Sequence, residues 1–233
     1  MNVSFDFTDE VVLITGVSGT LGSHAAKAFA EAGATVVGTS RSEPEGTDAD
    51  LSTVDIDFFA ADLTEEAAVE SVMESVLETH GRLDYLLNVV GMWAGGNPIE
   101  ETERGEFETV LDVNLKTAFL TSKHALPALQ ESEGAIVSVS ATSSLEGGEG
   151  DGPYRAAKAG IRLLTETIAE ENAGVVRANA VMPTVIDTPD NREMFPEADF
   201  EAWTDPEDIA RTMLALCSDA TAVTSGAAVP VEE

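Results

Sequence analysis

The sequence is short of cysteine, of basic residues and of uninterrupted apolar runs. Cys217 is its only cysteine, so no internal disulfide can form. The three histidines, His24, His80 and His124, stand far apart, and no Cys/His spacing of the kind that builds a zinc site is present. No apolar run approaches the roughly 20 residues needed to cross a bilayer. Met1 to Glu10 holds no basic segment followed by an apolar stretch, so no secretory leader is expected. A soluble, cytoplasmic chain is the expectation. Basic side chains number 12 against 43 acidic ones, a net charge of −31. Such a surface repels phosphates, so neither nucleic acid nor an anionic membrane is expected as a partner.

What is present is globular. Apolar residues make up 43% of the 233, enough for one sizeable core. The acids are spread among periodic apolar segments rather than gathered in runs, which points to a folded domain with an acidic skin rather than to disorder. A skin of this kind resembles cytosolic proteins of salt-accumulating halophiles. The fold is expected to need high salt, because at molar ionic strength the Debye length falls to ~3 Å and self-repulsion is screened. Unchanged thermal stability between dilute buffer and molar KCl would count against that expectation.

Taken in order, the chain alternates strands and helices. Val11 to Ile14 reads as a buried parallel strand ending at Thr15-Gly16. The turn Gly16-Val17-Ser18-Gly19-Thr20-Leu21-Gly22 follows, and a helix continues through Ala25 to Ala32. Strand, glycine turn and helix form half of a βαβ unit, where the backbone can approach a pyrophosphate and the helix N-terminus favours its charge. Thr35 to Thr39 is the second strand, ending at Ser40-Arg41. A carboxylate at that end binds a ribose 2′-hydroxyl, whereas an arginine accommodates a 2′-phosphate, so Ser40 and Arg41 favour NADP(H) over NAD(H).

Further strands are expected at Ile56 to Ala60, Tyr85 to Val90, Ala135 to Ser140, Val175 to Met182 and Gly226 to Val231. Helices are expected from a Thr64 N-cap to about Thr79, from Glu106 to about Gln130 with a bend or end at Pro127, from Tyr154 to about Glu171, and from Asp205-Pro206 to about Ser218. The segment from Pro183 to Trp203 reads as a long loop of the substrate-binding kind. The fold expected is single-domain α/β, a Rossmann-type doubly wound parallel sheet of about seven strands with helices on both faces.

One pair stands out chemically. Tyr154 and Lys158 lie four residues apart, on one face of a helix. A neighbouring ammonium favours phenolate and should lower the tyrosine pKa, which suits proton transfer. With this pair and the glycine turn, the sequence resembles the short-chain dehydrogenase/reductases along nearly its whole length. The resemblance rests on Thr15-Gly16, Asp62, Asn88-Val89-Val90-Gly91, Asn114, Tyr154 and Lys158, and Pro183 through Thr188, all in the order and at the spacing of that family. It implies a dinucleotide held by Gly16, Ser18, Gly19, Thr20, Leu21, Gly22, Ser40, Arg41, Asp62, Leu63, Asn88 to Gly91, Pro183, Ile186 and Thr188. Asp62 would meet the adenine, Lys158 the nicotinamide ribose, and Ile186 to Thr188 the carboxamide. It implies Tyr154 as the proton donor, Asn114 as the holder of a water that links Lys158 to solvent, and a homodimer or homotetramer.

Two departures follow from the same residues. Thr20 replaces a glycine of the usual turn. The family's substrate-orienting serine, thirteen residues before the tyrosine, is here Ala141. Ser140, Thr142, Ser143 and Ser144 crowd around that position. Both departures resemble the dihydropteridine-reductase-like branch, with its Gly-x-x-Gly-x-Leu-Gly turn and no catalytic serine. The expected activity is hydride transfer between a nicotinamide cofactor and a small carbonyl, alcohol or quinonoid substrate. A 3-oxoacyl or sugar/alcohol dehydrogenase with a displaced serine, and a non-catalytic NADP-binding sensor, are the alternatives.

Overall fold

A computed structural model describes residues 4–232. Seven parallel strands form one sheet in the order β3-β2-β1-β4-β5-β6-β7. They are β1 (Val11–Thr15), β2 (Thr35–Ser40), β3 (Ile56–Ala60), β4 (Tyr85–Asn88), β5 (Ala135–Val139), β6 (Arg177–Pro183) and β7 (Ala228–Val231). The order reverses between β1 and β4. In an open α/β sheet that reversal opens a crevice at the carboxyl ends of the strands, where ligands bind. The expected architecture is therefore met.

Helices cover both faces. α1 (Thr20–Glu31) and α7 (Pro206–Cys217) lie on one; α2 (Glu66–His80), α3 (Arg104–Leu111), α4 (Thr117–Ser132) and α5 (Gly152–Glu171) lie on the other. The central strands β1, β4 and β5 are buried on both sides, and the alternation decides which helix each residue meets. Val12 and Ile14 of β1 pack with Phe7, Phe29, Ile209 and Met213, while Val11 and Leu13 pack with Val72, Val76, Leu129 and Ile168. Full burial of side chains this large stabilises by about 1.5–3 kcal/mol each, so the sheet is the rigid platform of the molecule.

Several boundaries differ from the sequence expectation. β4 ends at Asn88 and β6 begins at Arg177. The Thr64 N-cap is not formed: Thr64 instead closes a turn on Asp62, through its backbone N–H at 3.0 Å and its hydroxyl at 2.7 Å, and α2 starts two residues later. The long helix expected around Asn114 is divided. α3 and α4 are joined by a π-helical turn, Asp112–Lys116, and Pro127 sits inside α4 without ending it. The segment after β6 is not a bare loop either. It holds α6 (Pro189–Met194) and a 3₁₀ turn at Phe200–Ala202. Two devices pin it: a bridge between Ile186 and Thr204, and the bidentate pair of Arg192 with Asp187 at 2.6 Å.

Candidate active site

The crevice has two ends, built by different elements. At the β1–β2 end the backbone does the work. Gly16 has φ +70°, a left-handed conformation that favours glycine, and its N–H bonds the Thr39 carbonyl at 2.7 Å. A Cβ on Gly22 would overlap the Gly16 carbonyl. Gly19 ends the turn as the N-cap of α1 with no side-chain cap, and the first turn of α1 carries no acid despite the acidity of the chain. Among the described residues, the N–H groups of Thr20, Leu21 and Gly22 find no acceptor. Bare N–H groups over a tight glycine turn are what a pyrophosphate requires. Thr20, one of the two sequence departures, takes the first helical position without disturbing this.

The rest of that end is consistent with a nucleotide. Ser40 is buried and its hydroxyl bonds the Ser42 carbonyl at 2.6 Å, so it is committed to the turn. Arg41 is exposed. Of the 12 basic side chains, only Lys27 and Arg41 have no ion-pair or hydrogen-bond partner among the described residues. Asp62 is also exposed. Its carboxyl is held below the usual carboxylate range, first by the Thr64 hydroxyl and then by the Thr64 N–H, with Arg41 adding a smaller push. Leu63 is buried beneath it.

The β4–β5–β6 end is built from side chains. Thr15 ties the two ends together, donating to the Leu87 carbonyl and accepting from Val89 and Val90. Asn88 is anchored by Thr121, Ser122 and Ser138 at 2.6–3.2 Å. Gly91 passes directly over Asn114 and Lys158; a Cβ there would meet Asn114 Oδ1 at 2.9 Å and Lys158 Nζ at 3.0 Å. Asn114 is fully buried in the π-helical turn. Its amide donates to the Met92 and Val110 carbonyls at 2.9 Å, and its Oδ1 accepts from Met92 N–H at 3.2 Å. By taking the Val110 carbonyl, the side chain replaces part of the helical ladder, which accounts for the widened turn.

Lys158 is buried. Its Nζ donates to the Val139 carbonyl at 3.0 Å and lies 5.7 Å from the centroid of the Tyr154 ring. Burial pulls its pKa down to about 8. Tyr154 is partly buried, and its hydroxyl makes no hydrogen bond among the described residues. Burial, and then the Asp151 charge, push its pKa up to about 12. This differs from the expectation that Lys158 lowers the tyrosine: burial is the largest cause acting on each group. Burial thus favours the protonated phenol and moves Lys158 toward neutrality.

Ala141 is buried, as are two of its neighbours. The Ser140 hydroxyl bonds the Lys158 carbonyl at 2.8 Å, and Ser144 meets Ser140 and the Met182 sulfur. Thr142 reaches the Pro183 carbonyl at 3.4 Å. Only the Ser143 hydroxyl is uncommitted among the described residues. Pro183 is buried at the end of β6; Ile186 and Thr188 are both drawn into the following segment, with the Ile186 carbonyl accepting from Asn191 and the Thr188 hydroxyl capping α6.

Sequence reasoning passed over Arg155. Its Nε meets Asp151 at 2.5 Å, and its Nη1 donates to the Ser143 and Glu146 carbonyls at 3.1 and 3.3 Å. A Cβ on Gly148 would overlap the guanidinium. One arginine thus fastens the loop after β5 to the start of α5. The signal was available: an Asp and an Arg four residues apart, bracketing Tyr154, in a chain with few arginines.

Comparison with known proteins identifies the family. Residues 16–233 match the family model described as enoyl-(acyl carrier protein) reductase. The chain is 30% identical to the 3-oxoacyl-(acyl-carrier-protein) reductase of Thermotoga maritima over 96% of both chains. It is 32% identical to the meso-2,3-butanediol dehydrogenase of Serratia marcescens over 97% of this chain and 94% of that protein. The ligand-free aldohexose dehydrogenase of Thermoplasma acidophilum superposes with a TM-score of 0.87 at 26% identity, covering 97% of this chain and 93% of that one. Sheet order, glycine turn, Tyr154–Lys158 pair and relatives converge: the chain belongs to the short-chain dehydrogenase/reductase family of nicotinamide-dependent oxidoreductases.

Proposed function

We propose that the protein is an NADP(H)-preferring oxidoreductase that interconverts a small carbonyl or quinonoid compound and its reduced form. The observation that carries this reading is the unpartnered Tyr154 hydroxyl beside a buried Lys158, on the face where Gly91 and Asn114 meet. The dinucleotide would be held by the bare N–H groups of Thr20 to Gly22, by Asp62 and Leu63, and by Lys158. When bound, it supplies or accepts the hydride. In reduction, Tyr154 gives its proton to the substrate oxygen, and Lys158 stabilises the phenolate left behind and returns a proton to it. Asn114, fixed to Met92, holds the path from Lys158 to solvent. Arg41, unpaired at the end of β2 with Ser40 in place of an acid, favours a 2′-phosphate.

Ala141 bears on the substrate. Losing an oxyanion donor commonly costs ~10²–10³ in rate. A quinonoid ring needs less polarisation than a plain ketone, which supports placement near the dihydropteridine-reductase-like branch. A second reading rests on Ser143, whose free hydroxyl sits two residues beyond Ala141 and suits a displaced-serine dehydrogenase. The segment 184–203 forms the substrate side of the site, and the acidic skin suits cytoplasm of high salt content. Subunits would pair as a dimer or tetramer.

The test is Tyr154→Phe, with NADPH and NADH each titrated by fluorescence. Turnover should fall by at least about 10³, while affinity for NADPH changes little and stays tighter than for NADH. Full turnover in the variant would sink the mechanism, and tighter binding of NADH would sink the cofactor preference.

A further inference from the structure

The loop after β4 and the segment after β6 meet through two aromatic rings. Trp93 follows Met92, whose backbone is bound to Asn114, and its ring lies against Gly95 beside Asp151, one turn before Tyr154. Phe195 ends α6 on the other wall. The two rings meet edge-on, with centroids 5.9 Å apart at 71°. Both stay open to solvent, Trp93 at 38% and Phe195 at 40%, and Met194 beside them is more exposed still. Aromatic rings left this open above a proton donor are contact area not yet used.

The charges around them point the same way. The arginines of the two walls, Arg155 and Arg192, are both spent, on Asp151 and on Asp187. Glu146 and Glu149 in the loop after β5, and Glu193 and Glu197 in the segment after β6, are exposed. The two basic side chains without partners among the described residues, Lys27 and Arg41, lie in α1 and directly after β2, in neither of these two segments. A substrate carrying phosphate, or borne on an acidic carrier, would find repulsion here and no counter-ion.

We propose that Trp93 and Phe195 form an aromatic jaw that takes an uncharged ring carbonyl and disfavours acyl thioesters carried on phosphate-bearing groups. This rests on the oxidoreductase reading above and narrows its substrate. The ring packs against the open faces of the two side chains and brings its carbonyl to Tyr154. The carbonyl carbon gains a hydride and its oxygen a proton, giving the alcohol, as one reduced nicotinamide is oxidised. The similarity to carrier-protein reductases would then extend to the scaffold and not to the substrate.

The experiment uses the full chain in molar KCl with NADPH and three probes: 1-tetralone, 2,3-butanedione and acetoacetyl-CoA. The expected kcat/KM for 1-tetralone exceeds that for acetoacetyl-CoA by about 100-fold. Trp93→Ala and Phe195→Ala should each lower the 1-tetralone value by about 10- to 100-fold, mainly through KM. Trp93→Phe should restore most of it, and 2,3-butanedione should change by less than about threefold. Both side chains are exposed, so the variants should keep the parent melting temperature. Acetoacetyl-CoA equal to or better than 1-tetralone would overturn the jaw, as would equal losses for both ketones in the alanine variants. Quenching of tryptophan fluorescence by 1-tetralone in the NADP⁺ complex, weakened in Phe195→Ala, reports binding without turnover. Quenching with no turnover of any probe would keep the jaw and refute the proposed reaction; absence of both would refute the jaw.

Discussion

The two ends of the crevice meet the same demand by opposite means. The β1–β2 end is made of backbone: a left-handed Gly16, a Gly22 that tolerates no Cβ, and N–H groups left bare at α1. The β4–β6 end is made of side chains locked in a buried polar network, with Asn88, Asn114, Ser140 and Lys158 each held by named partners. A backbone site of this kind suits a group that never changes, such as a pyrophosphate. It is set by a few glycines and has little room for variation. A side-chain site can be re-equipped residue by residue, and it is at this end that Ala141 lies and that Arg155 clamps the loop after β5. Chemistry can diverge at one end while the cofactor site at the other stays fixed.

The largest break in this comparison should come from Lys158→Met. Turnover should drop by about 10³, while the fold gains stability. Burial lowers the lysine pKa from 10.5 to about 8. Below pH 8 the folded state holds a buried charge that the unfolded chain would hold in water, a penalty of about 3 kcal/mol. Removing it leaves the Val139 carbonyl without its donor, which costs about 1 kcal/mol, so a net gain of about 1–2 kcal/mol is expected. The gain should fade as pH rises from 8 to 10.5, where the unfolded lysine also becomes neutral. Denaturation with and without the substitution at pH 7 and pH 10.5 measures it; a loss of stability at pH 7 would contradict the account.

Gly22→Ala strikes the other end. The added methyl meets the Gly16 carbonyl, which cannot yield without moving the turn. Destabilisation of about 1–3 kcal/mol is expected, with dinucleotide affinity lowered by at least about tenfold. In protein still folded and saturated with cofactor, the pH dependence of turnover should be unchanged, because Lys158 and Tyr154 are untouched. A shifted pH profile would show that the two ends are not separable.

The two ends also differ in how far they can be read from sequence. Gly16 to Gly22 is legible because the constraint is local: strand, tight turn and helix follow within a dozen residues. The sheet order follows from the same alternation. The π-helical turn at Asn114 is not legible, since what draws the side chain off its helix is the Met92 backbone, 22 residues earlier. The Tyr154 pKa is misread for a related reason. Spacing on a helix shows that an ammonium is near, but only packing shows that both groups are desolvated. The hydroxyls around Ala141 look equivalent in the sequence; the fold commits Ser140 and Ser144 to buried partners and leaves Ser143 free.

The smallest effect, and the sharpest for the comparison, is expected from Arg155→Ala. The guanidinium touches neither end of the dinucleotide site. It holds the Ser143 and Glu146 carbonyls and balances Asp151, whose charge pushes the Tyr154 pKa up. Without it, the loop after β5 loosens and the Asp151 charge is unopposed beside the phenol. KM for substrate should rise by about three- to tenfold, and affinity for NADPH should stay within about twofold. Phenolate should form at still higher pH, because an unpaired carboxylate disfavours a second negative charge nearby. Turnover in the oxidative direction, which needs the phenolate, should therefore need more alkaline conditions, and Arg155→Lys should recover part of the shift while leaving the loop carbonyls underbonded. An equal loss of NADPH affinity would place Arg155 in the general stability of the fold rather than at the side-chain end of the site.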